Sequence, residues 1–287
     1  MEIIIYGVVR SIQFLLVALG FSFAYGVSRL PNFAHGAFYV LASFITWSFL
    51  RTLKLGYVPS IILSIAIITA MGGALYRCLL IRVRGMAISE IIASYALGLA
   101  ILEGLRIKFR GAAFATPFFI DRTIEIAGVP IDLQRIIIIG TGIAVVLLMW
   151  AFTHYTKTGL SLRAIAQDEH AAMMLGIDSD RAAVLALSLG SALVALAALV
   201  IAPTGNLTTE QGYEVLIYSI AICVIGGLGS WTGTILSSFI LGFAGILTAT
   251  YIGGMWQSVV VVVAIIVTLI IKPSGFFGRQ KELEERV

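Results

Sequence analysis

Runs of apolar residues, most of them close to twenty residues long, follow one another along nearly the whole chain. No other feature restricts its fold as much. A helix needs roughly 20 such residues to cross about 30 Å of hydrocarbon. With no water in that layer, the backbone polar groups must be satisfied inside the segment, which makes the runs helices. They fall at about 3–27, 34–50, 58–76, 87–105, 135–153, 182–202, 215–227, 231–250 and 255–271. Two of them, 34–50 and 215–227, are short for a crossing. One or both are expected to be broken or re-entrant, a form tolerated only where the backbone is buried in protein or lines a cavity. The expected fold is an all-α integral membrane protein. It is a polytopic bundle of about eight to nine transmembrane helices with one or two broken or re-entrant segments, forming a single domain over residues 1–287.

Composition points the same way. The chain is 60% hydrophobic and 12% charged, whereas soluble domains are roughly half apolar and a quarter charged. The N-terminus reads MEIIIYGVVR, with Glu2 and no basic stretch before the apolar run. That is a poor signal peptide, so the first run is expected to stay as a span. No basic run is interleaved with aromatics, which leaves nucleic-acid binding without support. Cys78 and Cys223 sit in apolar stretches without a CxxC spacing and are read as packing residues.

Lys and Arg give the orientation. Arg29, Arg77, Arg82, Arg84, Lys157, Arg163, Arg181, Lys272, Arg279, Lys281 and Arg286, eleven in all, fall on one side. Arg51, Lys54, Arg106, Lys108, Arg110, Arg122 and Arg135, seven in all, fall on the other. The positive-inside rule makes the first side cytoplasmic, which puts the N-terminus outside and the C-terminus inside. Arg10 lies within the first span and is expected to snorkel outward.

The inner loop, about 154–181, differs from the other loops. Between Leu160 and Leu175 no residue breaks a helix, and Leu162, Ala166, Glu169 and Met173 recur at spacings of three and four. Gly176 follows the last apolar residue, where helices commonly end in the left-handed conformation. The loop is thus expected to hold one short helix with Asp168 and Glu169 in its middle. An interfacial helix would carry Lys and Arg on its polar face. This one carries Arg163 beside two acids, and Ala171 and Ala172 permit close approach, so a soluble protein partner is the better reading.

Within the spans, Asn32, His35 and Gly36 interrupt the apolar run between the first two segments. Polar groups at that depth are costly unless they face a cavity or a neighbour. A lone His there is more often a satisfied structural residue than a metal ligand, and no HExxH occurs. Gly226, Gly227, Gly229 and Gly233 surround Ser230. Thr232 breaks a GxGxxG fingerprint, so close helix packing or helix unwinding explains them better. Glu90, Glu103 and Glu214 lie near segment ends and are read as solvated.

Three stretches carry a resemblance. TGLSLRAIAQDEHAAMMLGID resembles the cytoplasmic coupling loop of permease subunits of ATP-binding-cassette (ABC) importers. Its E-A-A…G pattern is matched by Glu169, Ala171, Ala172 and Gly176, with His170 inserted after the acid. GVSRLPNFAHGAFYVLASF and VIGGLGSWTGTILSSFILG both resemble the branched-chain amino acid importer permease family, in its smaller permease subunit. The resemblance implies that Gly159, Arg163, Asp168, Glu169, Ala171, Ala172 and Gly176 couple the chain to an ATPase. It implies that Asn32, His35, Gly36, Gly227, Gly229 and Ser230 border the translocation path. It also implies partners: a second permease subunit, two cytoplasmic ATPase subunits that bind ATP and Mg, and an extracytoplasmic solute-binding protein. The chain would be a multi-pass protein of the inner (plasma) membrane.

No GxxxxGK[ST] occurs, so no phosphate-cradling loop is expected in this chain. The expected function is a permease that moves a small solute, branched-chain amino acids first, by alternating access driven by separate ATPases. The chain itself is expected to bind no cofactor and no metal and to catalyse no reaction. Two alternatives stay open. One is a permease of the same family for urea or amides. The other is an ion-coupled secondary transporter, which would place acids or unwound carbonyls near the midplane. A membrane-embedded enzyme would need clustered His or Asp residues inside the spans, and the sequence offers none.

Overall fold

The computed structural model describes residues 1–117, 119–120, 122–126 and 128–278. Arg279, Lys281 and Arg286 of the orientation argument lie outside the described residues. The helices are α1 (Glu2–Ser28), α2 (His35–Arg51), α3 (Tyr57–Cys78), α4 (Ala87–Phe109), α5 (Leu133–Tyr155), α6 (Lys157–Gln167), α7 (Glu169–Met174), α8 (Ser179–Ile201), α9 (Gln211–Gly226), α10 (Trp231–Tyr251) and α11 (Gln257–Ile271). Seven helical segments are long and apolar enough to cross a membrane, built on α1, α3, α4, α5, α8, α10 and α11. The two short runs are α2, with 17 residues, and α9, with 16. The all-α polytopic bundle is what the apolar runs require.

α1 forms the centre. It is buried along most of its length, from Gly7 to Val27, and packs on α5, α8, α9 and α10. Apolar side chains cannot drive helices together when lipid is as apolar as they are, so close approach of small residues does it. On α1 and α8 the backbones touch. A Cβ on Gly20 would lie 2.5 Å from the Gly190 carbonyl oxygen, and one on Gly190 would lie 2.6 Å from that of Gly20. Gly72 of α3 meets Ser191 of α8, and Gly242 of α10 meets Ser11 of α1, in the same way. The outer faces of α5 and α11 expose large apolar residues such as Leu148 and Ile270. In water that would be an aggregation surface; here it is the lipid face.

The loops sort into two ends. At one end Arg84 reaches from the α3–α4 loop to Glu169 and Asp180, and Gly26, at the end of α1, lies against Gly229. Phe277 joins that end by donating its amide to the Gly226 carbonyl at 3.0 Å. At the other end are two short ribbons. β1 (Phe114–Ala115) pairs antiparallel with β4 (Asn206–Leu207), and β2 (Thr123–Ile126) pairs antiparallel with β3 (Val129–Asp132). Tyr57 also donates there to the Pro117 carbonyl, and Tyr6 to that of Pro130. The loops with the basic excess therefore share one end of the bundle.

The crossing that follows α1 is broken, with an extended stretch ahead of α2. Arg29 ends α1 in a left-handed conformation. The chain then doubles back, so that His35, the first residue of α2, bonds the carbonyl of Val17 in the middle of α1 at 3.0 Å. Three side chains supply what the extended backbone of this stretch lacks. Ser28 Oγ accepts from the Leu30 amide at 3.3 Å, Ser94 Oγ from the Phe33 amide at 3.2 Å, and Asn32 Oδ1 from the Ala34 amide at 3.0 Å.

Several sequence expectations change. Glu90 is not solvated: it is 2% exposed, and its Oε1 accepts the Gly85 amide at 2.7 Å, closing the α3–α4 loop. Cys78 is exposed rather than packed, whereas Cys223 is buried. Arg10 is not a free surface cation, because its guanidinium is engaged by Gln13 and Phe14.

Gly36 carries the contact between α2 and α9. A Cβ there would sit 1.9 Å from the Gly212 carbonyl oxygen. Gly36→Ala is expected to destabilise the detergent-solubilised protein by about 1–3 kcal/mol through overpacking. Gly140→Ala, which meets nothing within 4 Å, should leave the thermal midpoint unchanged. Comparing the two midpoints by thermal-shift measurement checks this.

Candidate functional site

The α6–α7 element is built from capping chemistry. Thr156 caps α6 by accepting the Gly159 amide at 3.0 Å. A Cβ on Gly159 would meet the Phe152 carbonyl at 2.1 Å, so only glycine allows the sharp turn from α5 into α6. α6 buries Leu162 and Ile165, while Arg163 stays half-buried. The single helix expected over Leu160–Leu175 is instead two. Asp168 adopts an extended conformation and accepts the Ala171 amide at 3.0 Å, which ends α6 and starts α7. Asp and Asn are strong N-caps because their oxygens satisfy an orphan amide. Asp168 and Glu169 thus stand at a helix N-terminus, where the dipole favours acids, and not in mid-helix. Gly176, with φ +83°, closes α7.

The break turns the element's surface around. Ala172 is 2% exposed and packs inward, so it cannot itself meet a partner; Ala171 remains on the surface. Met174 and Leu175, at 88% and 82% exposed, form the outward face, with Met173 beside them. A contiguous apolar patch rimmed by polar residues is the usual mark of an interaction surface.

One guanidinium ties this element to the spans. Arg84 pairs through Nη2 with Glu169 and through Nη1 with Asp180, and it donates to Ser179 Oγ at 2.8 Å. Ser179 in turn donates to Glu169, and Tyr76 of α3 donates to Asp180 at 2.7 Å. Burial works against the charge of Arg84, but Tyr76, Glu169 and Asp180 outweigh it and hold its pKa above the usual arginine value. An isolated exposed pair is worth about 0–1 kcal/mol. This is a network that joins α3, the α3–α4 loop, α7 and α8. Sequence reading missed it, counting Arg84 only as a topological charge. The available signal was an arginine in a loop without an acid, together with the Asp-Ser-Asp stretch at 178–180 that starts α8.

The residues flagged inside the bundle do not converge on one site. His35, 1% exposed, is occupied by the Val17 carbonyl and lies edge-on to Phe21 at 5.6 Å. Asn32 caps the turn ahead of α2, and Gly36 is filled by Gly212. Gly227 and Gly229 have positive φ in the turn between α9 and α10, and Ser230 caps α10 by accepting the Gly233 amide at 3.2 Å. Next to the α1–α2 turn, a small apolar cleft opens between α2, α4 and α9. Phe33, Ala37, Gly98, Leu102, Gly212 and Leu216 line it, with Tyr95 and Tyr213 alongside. Among the described residues no group of three or more His, Cys, Asp or Glu side chains is placed to hold a metal ion.

The family described as branched-chain amino acid transport system / permease component matches residues 3–270. The chain is 25% identical to the high-affinity branched-chain amino acid transport system permease protein LivH of Escherichia coli K12, covering 95% of this chain and 94% of that one. It is 29% identical to the corresponding permease protein BraD of Pseudomonas aeruginosa, over 92% and 91% of the two chains. A probable permease of this kind from Methanocaldococcus jannaschii is 23% identical over 94% and 90%. No solved structure matches the chain.

Removing the guanidinium should release α7 from α3 and α8. In Arg84→Ala, hydrogen exchange at the amides of 168–178 is expected to rise at least about tenfold while α1 and α8 keep their protection. Arg84→Lys should restore only part of it, since a point charge cannot bridge two carboxylates as a fork does. Unchanged exchange in Arg84→Ala would show that packing alone holds the element.

Proposed function

The chain belongs to the family of branched-chain amino acid transport permeases, and from that premise we propose how it works. It is the membrane-spanning subunit of an ABC importer, and it carries branched-chain amino acids. The observation that carries this reading is the α6–α7 element, whose exposed Met174 and Leu175 stand at the end of the bundle with the basic excess. That face docks a cytoplasmic ATPase. The chain has no GxxxxGK[ST], so ATP and Mg bind in the partner subunits and the energy arrives mechanically.

Transport is a two-state switch. Nucleotide and the loaded binding protein bias one equilibrium between an outward-open and an inward-open arrangement. Closure of two ATPases displaces α7. Arg84 passes the displacement to α8 through Asp180 and to the α3–α4 loop, and Tyr76 carries it into α3. A second permease subunit completes the path, and an extracytoplasmic solute-binding protein delivers the solute at the end bearing the β ribbons. The C-terminus lies on the cytoplasmic side, by the excess of Lys and Arg there.

The test is uptake of radiolabelled leucine by proteoliposomes holding the permease pair, the ATPases and the binding protein. Replacing both Met174 and Leu175 with Glu is expected to lower uptake at least about tenfold and to weaken co-purification of the ATPase. The thermal midpoint of the permease itself should be unchanged. Normal uptake in that variant would remove α7 as the docking element.

A further inference from the structure

Arg10 is the one basic residue inside a span in the charge assignment above, and its surroundings do not explain it as a structural cation. It lies two turns into α1 and is only partly buried. Helical side chains lean toward the N-terminus of their helix, which brings Gln13 and Phe14 back alongside Arg10. The guanidinium stands 4.6 Å over the ring of Phe14 and 5.9 Å from that of Tyr218 on α9, and it donates to Gln13 Oε1 at 3.4 Å. Phe14 and Tyr218 are themselves stacked at 4.7 Å. The buried Tyr39 of α2 lies within reach of its charge.

Among the described residues no carboxylate lies within ion-pair distance of Arg10. Glu214, one turn before Tyr218, is exposed and does not pair with it. A charge in an apolar segment is costly and marks function unless something neutralises it. The aromatic contacts engage the flat face of the guanidinium. Its five N–H donors lie in the plane, and one is directed at Gln13. The remaining edge is free for the bidentate bonds that a guanidinium makes to a carboxylate.

We infer that Arg10, held by Phe14 and Tyr218 and assisted by Gln13, binds the carboxylate of the transported solute at the junction of α1 and α9. This rests on the importer reading above and adds to it a recognition residue. Arg10 rejects solutes that lack an anionic group.

The experiment is leucine uptake by the reconstituted complex carrying Arg10→Met, Arg10→Lys or no substitution, with binding-protein-stimulated ATP hydrolysis measured in parallel. Arg10→Met should raise KM or lower the uptake rate at least about tenfold, while the complex still assembles and hydrolyses ATP. Arg10→Lys, which keeps the charge and loses the fork, should recover only part of the lost uptake. Wild-type kinetics in Arg10→Met overturn the inference. So does failure of Arg10→Met to retain its second permease subunit on purification, which would make the guanidinium a subunit contact. An Arg10→Met complex whose uptake falls only in vesicles containing anionic lipid overturns it as well, in favour of a lipid phosphate. If the wild-type complex takes up no leucine, the substrate reading fails separately. The ligand measured on the binding protein then replaces leucine, and a ligand without a carboxylate overturns the inference about Arg10 too.

Discussion

A backbone amide that enters hydrocarbon must find its acceptor inside the protein, and the architecture of this permease follows from that requirement. Where the chain runs as an unbroken helix the condition meets itself. Where it does not, between α1 and α2, side chains are recruited: Ser28, Asn32 and Ser94 each take one amide of the extended stretch. A polar triplet that looks from sequence like a lined path is in large part the hardware of a helix restart. His35 belongs to the same hardware, since its ring nitrogen is spent on the Val17 carbonyl in the middle of α1.

The second consequence concerns attraction between helices. With lipid on the outside there is little gain in hiding one leucine against another, so contact area is won by removing side chains. Gly20 against Gly190, Gly36 against Gly212, and Gly226 against Gly233 bring backbones into direct contact. Such contacts have no slack. Helices joined this way move as bodies, and a push at one end reaches the other.

That rigidity gives the end that carries α6 and α7 its meaning. α7 has only six residues and buries Ala172 alone, too little to hold it by packing. Its position comes from Arg84, whose two carboxylate partners sit on α7 and α8. A small element with an exposed apolar face, fastened by charge to a rigid bundle, is a handle. Uncoupling it needs only the loss of one guanidinium, whereas uncoupling the bundle would need a change in the packed core.

Much of this was legible in the sequence, because period and composition are local properties. Apolar runs of the right length dictate spans, the Lys and Arg bias sorts the loops, and Gly176 marks the end of a helix. Two runs stood out as short for a crossing; the way into α2 proved broken, while α9 is a continuous helix. The remainder depended on residues far apart in the chain. Asp168 reads equally well as a helix interior or as a cap until the fold shows which amide it meets. Glu90 looks solvated until the Gly85 amide is found beside it, and Ala172 looks available until the bundle covers it. Arg84 has no partner within its own loop, and Glu169 and Asp180 lie 85 and 96 residues away. Arg10 is a puzzle until Tyr218 is brought across to it. The sequence by itself determined that this chain spans a membrane many times, since the hydrocarbon layer tests each segment separately. Only the tertiary structure decided which polar residues are spent on holding the fold and which remain to act, because that depends on what the distant chain places against them.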